Sequence, residues 1–271
     1  LISKGEGRRR VVLRQSIGHM RKVICVGGMT VDILLLYVDG LPAPGELMPL
    51  EHAQMDIGGC AVNAAVALTK LGIPVSLVCK IGKDDLGEYV QKKLSEYKVS
   101  CKRVAVDSAA RTTLSVVCVQ NGGQRSFIYL PGSTARLGLE DIDMKDMSAG
   151  DLLFVTSSLL LDALDGEPCA RLMKAAREKG VTTFMDTSWD ISGTWLAKIE
   201  AAFPYIDFFM PSYDEAAMLT GEKDAGAMAS RLLAGGVKNV IIKLGKDGAF
   251  VAESGKARYV IPTYQNVTPV D

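Results

Sequence analysis

Histidine is scarce in this chain: only His19 and His52 occur. A Ser-His-Asp triad or a histidine-based metal centre therefore has little to build on. Six cysteines are present, Cys25, Cys60, Cys79, Cys101, Cys118 and Cys169, yet none forms a C-x-x-C pair. That argues against zinc and dithiol chemistry, and their setting in apolar runs suits reduced thiols of a cytoplasmic protein. Neither sign of charge is in excess, with 31 basic and 31 acidic residues, so no global field for nucleic acid or an acidic membrane is expected. No apolar run reaches membrane-spanning length. The longest, from Leu152 to Leu164, is broken by Thr156, Ser157, Ser158 and Asp162. A Walker phosphate loop, a G-x-G-x-x-G after a strand and a G-x-S-x-G elbow are all missing.

What is present reads as an α/β chain of one large domain, with 48% hydrophobic residues to fill its core. Residues 1–19, with Arg8-Arg9-Arg10 and no apolar stretch after them, read as a leader or tag-like tail, and the domain as 20–271. Lys22 to Val26 is a short apolar run ending in Gly27-Gly28, a buried strand. From residue 152 onward short apolar strands alternate with helical segments: Leu152–Thr156, Val181–Met185, Ile206–Met210 and Val240–Leu244 against Cys169–Lys179, Thr194–Ala202, Tyr213–Leu219 and Ala225–Leu233. Such alternation predicts a doubly wound, mostly parallel sheet flanked by helices. Two early β-ribbons, near 33–57 and 111–131, break the alternation. They predict a small separate sheet over the body. Strands are expected at Ile33–Val38 and Met48–Met55 in the first. Asn121-Gly122-Gly123 marks the hairpin turn of the second.

Two constellations carry candidate chemistry. Gly58-Gly59 precedes a small-residue helix beginning near Ala61, with Asn63 one turn in. Free N–H groups at the helix start and the Asn63 amide suit a ligand hydroxyl pair. Equally, the two glycines suit a tight strand-to-helix turn. Asp32 follows the first strand and can accept two hydroxyl hydrogen bonds where open α/β sheets bind ligands, or it can simply stabilise a turn.

Together with three later segments these motifs resemble the ribokinase (PfkB) carbohydrate kinase family. G-G-C-A-V-N-A-A-V-A-L-T-K-L-G (58–72) is similar to the first family signature. K-I-G-K-D-D-L-G (80–87), P-S-Y-D-E-A-A-M-L-T-G (211–221) and K-L-G-K-D-G-A (243–249) resemble three further family segments, in family order. The resemblance implies a ribokinase-like fold whose two ribbons form a lid. It implies ATP-dependent phosphorylation of a sugar hydroxyl. Asp32, Gly58, Gly59 and Asn63 would hold the sugar. Asp186, Ser212, Lys243, Gly245 and Gly248 would face ATP, and Glu215 would organise Mg²⁺. The acidic helix start at Glu215 also has a purely structural reading, favourable placement in the helix dipole.

Two departures stand out. Ser212 replaces the asparagine of the family's N-x-x-E, and D-T-S-W-D (186–190) replaces a D-x-N-x-R pattern, keeping Asp186 without the arginine. V-T-P-V-D (267–271) resembles the lead-in to the second family signature. The anion-hole glycines and the general-base aspartate are accordingly expected beyond Asp271, with no catalytic base inside the 271 residues. The reading therefore expects a shortened product without normal kinase activity. A nucleoside kinase of the same family and a non-catalytic sugar-binding protein are the alternatives. Sugar is favoured because the ribbons supply only Tyr37, Phe127 and Tyr129 as aromatic walls. A homodimer through the lid is also expected, because an isolated small sheet is marginal.

Overall fold

A computed structural model describes residues 22–264. The leader expected at 1–19 and the 267–271 segment lie outside the described residues. The first strand, β1 (Val23–Gly27), is buried along its whole length. Its side chains feed two different cores. Val23 and Cys25 pack with β4 (Val75–Gly82), α1 (Cys60–Lys70) and α2 (Asp85–Glu96) on one face. Ile24 and Val26 pack with β8 (Leu152–Ser158), α3 (Glu167–Glu178) and β9 (Thr182–Thr187) on the other. A continuous apolar run is what a strand covered on both faces requires.

The main sheet has the order β13-β12-β11-β10-β9-β8-β1-β4-β5. Here β5 is Val104–Asp107, β10 Phe208–Phe209, β11 Asn239–Lys243, β12 Ala249–Glu253 and β13 Tyr259–Ile261. It is parallel from β11 through β5, and the two strands beyond β11 are antiparallel. The remaining helices are α4 (Leu196–Ile199), α5 (Tyr213–Thr220) and α6 (Ala225–Ala234). The doubly wound sheet read from the alternating pattern is therefore present.

A second sheet has the order β3-β2-β6-β7, from β2 (Thr30–Leu36), β3 (Ala53–Gly58), β6 (Leu114–Val119) and β7 (Arg125–Leu130). Only Gly28 and Met29 separate β1 from β2, so this sheet grows out of the C-terminal edge of the main one. The Thr134 hydroxyl fixes that junction. It donates to the Met29 carbonyl at 2.7 Å and accepts from the Met29 N–H at 3.3 Å. The register sets Asp32 opposite Asp56 on β3 and Ser115 on β6, and Ser115 opposite Tyr129 on β7.

Several boundaries differ from expectation for local reasons. The strand placed at 48–55 runs instead over Ala53–Gly58. Residues 48–52 are exposed and include Pro49, which has no N–H for a ladder. The helix placed at 194–202 is only Leu196–Ile199, followed by a 3₁₀ turn over Glu200–Tyr205 that contains Pro204. Edge strand β5 gave no clear sequence signal, since it is four residues long and half-exposed.

Candidate active site

The start of α1 is built on close backbone approach. Gly59 sits at φ 92°, and a Cβ there would lie 2.4 Å from the Gly28 carbonyl oxygen. A side chain at this position would have to displace the loop after β1. Gly58 is equally constrained, because a Cβ there would meet Asp32 Oδ2 at 1.9 Å. The diglycine thus lets the Asp32 carboxylate lie flat against the turn into the helix. Asn63, whose N–H donates to the Gly59 carbonyl at 2.9 Å, follows one turn later with an exposed side chain. Asp32, Gly58 and Gly59 are in one contact group, with Asn63 a single helical turn away.

Asp32 is half-buried, and its Oδ1 accepts from the Thr30 hydroxyl at 2.7 Å. Burial pushes its carboxyl above the usual carboxylate range, and the nearby Asp56 charge adds to the rise. The Thr30 hydrogen bond acts in the opposite direction without reversing it.

The second group lies at the ends of β9 and β11. Lys243 Nζ donates to both oxygens of Asp186, at 2.7 and 2.9 Å. Burial raises the Asp186 carboxyl above its ordinary range against the pull of Lys243, and the Glu215 charge raises it further. The lysine side chain remains 46% exposed, so a cation is presented at the surface. Ser212 caps α5: its hydroxyl accepts from the Glu215 N–H at 3.4 Å, and Glu215 Oε2 accepts from the Ser212 N–H at 2.8 Å. This reciprocal box ties down the first turn. The same Oε2 accepts from the Thr187 hydroxyl at 3.1 Å, which joins α5 to β9. Ser212 also bridges to Lys243 in parallel register. Asp186, Ser212, Glu215 and Lys243 are therefore brought together. Gly245 and Gly248 stand in the tight turn after β11, closed by the Leu244 N–H donating to the Gly248 carbonyl at 2.7 Å. Gly245 has open space around it, whereas a Cβ on Gly248 would collide with the Ile261 carbonyl.

Cys60 connects the two groups. Its Sγ lies 3.9 Å from the Ser188 hydroxyl, two residues beyond Asp186. Burial raises its thiol pKa, a Ser157 hydrogen bond lowers it, and the Asp186 and Lys243 charges both reach it. The Ser188 N–H donates to the Ser158 carbonyl at 2.9 Å. The segments after β8 and β9 and the start of α1 thus meet around one thiol, at the C-terminal edge of the parallel sheet.

The sequence pattern that matches the chain is that of the "pfkB family carbohydrate kinase", over residues 20–271. The chain belongs to this family of carbohydrate kinases. Among its relatives, the ribokinase of Staphylococcus aureus (strain COL) is 24% identical over 248 residues, covering 88% of this chain and 78% of the relative. Fructokinase-2 of Oryza sativa subsp. japonica is 28% identical over 202 residues, 70% of this chain and 59% of the relative. The ribokinase structure from Thermotoga maritima superposes with a TM-score of 0.74 at 26% identity, covering 92% of this chain and 80% of that one.

Sequence reasoning missed some of the residues that join these two groups. Cys60, Ser157, Thr187 and Ser188 all take part, yet none has a distinctive motif role. Thr187 and Ser188 lie inside D-T-S-W-D, the segment noted for departing from the family pattern. Asp190, where that pattern has an arginine, turns inward instead. It accepts from the Ser192 hydroxyl at 2.6 Å and the Trp195 N–H at 2.6 Å.

Proposed function

We propose that the cleft binds a sugar against Asp32, Gly58, Gly59 and Asn63 and presents one of its hydroxyls to the γ-phosphate of ATP held near Asp186, Ser212, Lys243, Gly245 and Gly248. The observation carrying this reading is the junction at Cys60, which sets the Asp32–diglycine group beside the Asp186–Lys243 group. Phosphoryl transfer depends chiefly on positioning and on neutralising charge, and this arrangement offers both. A half-buried carboxylate against the diglycine, with an exposed amide one helical turn further on, suits paired sugar hydroxyls. Lys243, a cation with its side chain open to the cleft, suits phosphate oxygens.

Mg²⁺ fits the donor set. Among the described residues no cluster of three or more His, Cys, Asp or Glu could cage a metal. Asp186 and Glu215 are near enough for their charges to interact. One or two carboxylates with waters and substrate phosphates are what Mg²⁺ usually takes. The ion would supply charge neutralisation on the phosphates, and Glu215 would hold it with its shell of waters. The small sheet is read as a lid over the sugar. The exposed Met55, Phe127, Ile128 and Leu130 on it support pairing with a second copy. No helix among the described residues is long and apolar enough to cross a membrane, and a cytoplasmic site of action fits the six free thiols.

Relatives named ribokinase and fructokinase make D-ribose and D-fructose the first sugars to try. The test is a panel of these sugars and of nucleosides, scored for binding and for ATP-dependent phosphorylation. Saturable sugar binding and sugar phosphate formation support the reading. Nucleoside binding without sugar binding would replace it with a nucleoside kinase.

A further inference from the structure

The turn at the end of β8 is held in a conformation its residues do not choose. Ser157 and Leu159 both have positive φ, 59° and 84°, although neither is glycine. The turn presses on the start of α1: a Cβ on Gly28 would lie 2.5 Å from Ser157 Oγ, and Ser157 is near enough to Cys60 to lower its thiol pKa. Strained backbone of this kind persists only where its surroundings over-determine it. Here the surroundings centre on one buried carboxylate. Asp165 Oδ2 accepts from the Leu159 N–H at 2.9 Å and from the Leu161 N–H at 3.1 Å. Lys198 on α4 faces it at 3.8 Å, and donates to the Leu159 carbonyl at 2.9 Å and to Asp162 at 2.7 Å. The next turn is tied to the Thr134 junction, because the Ala163 N–H donates to the Ala135 carbonyl at 3.0 Å. Asp165 Oδ1 is buried without a hydrogen-bond partner among the described residues.

We propose that Asp165 is a positioning residue of the sugar pocket, whose carboxylate clamps the Ser157–Leu161 turn against Gly28 and Cys60. The inference rests on the kinase reading above. Asp165 touches no proposed ligand and acts through the turn. A buried aspartate with one oxygen unpartnered is a poor choice for stability alone, which argues that it is retained for the geometry it imposes.

The clamp is sensitive to proton uptake. Burial raises the Asp165 carboxyl to about 7, against the pull of Lys198 and the two backbone N–H groups, while Asp162 adds to the rise. Lys198, Asp162 and the Cys169 thiol of α3 are the titratable groups that face it. Ionised, the carboxylate makes charge-assisted hydrogen bonds to the turn but bears the cost of burial, and the cost prevails, so the clamped state binds a proton more tightly than an opened one. Stability has the same sign. The folded state binds the extra proton between about pH 4 and 7, so this group's contribution falls as pH rises through that window.

The test compares wild type with Asp165→Asn and Asp165→Glu by amide hydrogen exchange and by D-ribose and D-fructose titration from pH 5 to 9. In wild type, protection at Leu159 and Leu161 should rise as pH drops through about 7, because the clamped state binds the proton more tightly than an opened, solvated one. In Asp165→Asn the step near neutral pH should be gone, with sugar affinity roughly tenfold weaker. Any lower step belonging to Asp32 should remain. Asp165→Glu, which keeps the charge, should restore part of the pH step. Wild-type protection and an unchanged pH profile in Asp165→Asn, with sugar bound, would overturn this inference and leave the kinase reading intact. Absence of sugar binding by wild type would overturn both. Should Asp165→Asn not fold, wild-type protection at Leu159 and Leu161 that stays flat from pH 5 to 9 overturns the clamp.

Discussion

Cys60 Sγ and Ser188 Oγ lie 3.9 Å apart, and that one approach brings the first turn of α1 to the end of β9. Residues on the α1 side belong to the group around Asp32 and the diglycine. Residues on the β9 side belong to the group around Asp186 and Lys243. Parallel α/β sheets place such loops at the carboxyl ends of their strands, and here two of them share one cleft.

The diglycine is the tightest element of that cleft, so Gly59→Ala should be costly. The residue would keep a φ near 92° and meet the Gly28 carbonyl at 2.4 Å. A loss of about 2–4 kcal/mol is expected, read by thermal or urea unfolding. Gly245→Ala is the control. It also has positive φ, 59°, but open space around it, so only about 1 kcal/mol should be lost.

Asp32→Asn should weaken sugar binding by roughly tenfold to a hundredfold, since hydrogen bonds to a charged acceptor are the stronger kind. Calorimetric titration measures it. The Asp32 carboxyl lies above its ordinary range through burial and the Asp56 charge. Affinity in wild type should therefore fall on acidification, with a midpoint above that of an exposed aspartate. In stability the sign is opposite: the folded state prefers the protonated form, so this group's contribution declines as pH rises through the same window.

Lys243→Met removes the cation that holds both Asp186 oxygens. Binding of ATP should weaken roughly tenfold or more, while sugar binding to the ligand-free chain stays close to wild type. Parallel titrations with each ligand separate the two effects. Equal loss for both ligands would mean that Lys243 supports the cleft as a whole.

Asp84 tests the frame beneath the site. It caps α2 by accepting from the Gly87 N–H at 2.9 Å, and it accepts from the Thr112 N–H at 2.7 Å and hydroxyl at 2.6 Å. Burial alone would raise its pKa, but the hydrogen bonds from Thr112 and Gly87 prevail and hold it below the ordinary value. Its contribution is present above the unfolded-state pKa and lost as pH falls through the depressed folded value. Asp84→Ala should cost about 1–2 kcal/mol at neutral pH. The difference from wild type should shrink in acid.

Much of this was legible in the sequence because it rests on local rules. The apolar run at Lys22–Val26, the turn at Asn121-Gly122-Gly123 and the diglycine before α1 each point to one local structure. The motif order supplied the candidate residues, and four of them, Asp186, Ser212, Glu215 and Lys243, are joined by hydrogen bonds or β-register. What stayed hidden depends on tertiary contact. Cys60 matters through Ser157 and Ser188, which are about a hundred residues away or more in sequence. Asp165 matters through the positive φ of Ser157 and Leu159, which propensity disfavours and packing overrides.

The most direct test is a crystal structure of the chain with D-ribose or D-fructose and a non-hydrolysable ATP analogue. Sugar hydroxyls are expected within hydrogen-bond distance of Asp32 and Asn63, and analogue phosphates against Lys243 on the other side of Cys60. A sugar bound away from the Asp32–diglycine turn, or phosphates bound away from the end of β11, would contradict this arrangement.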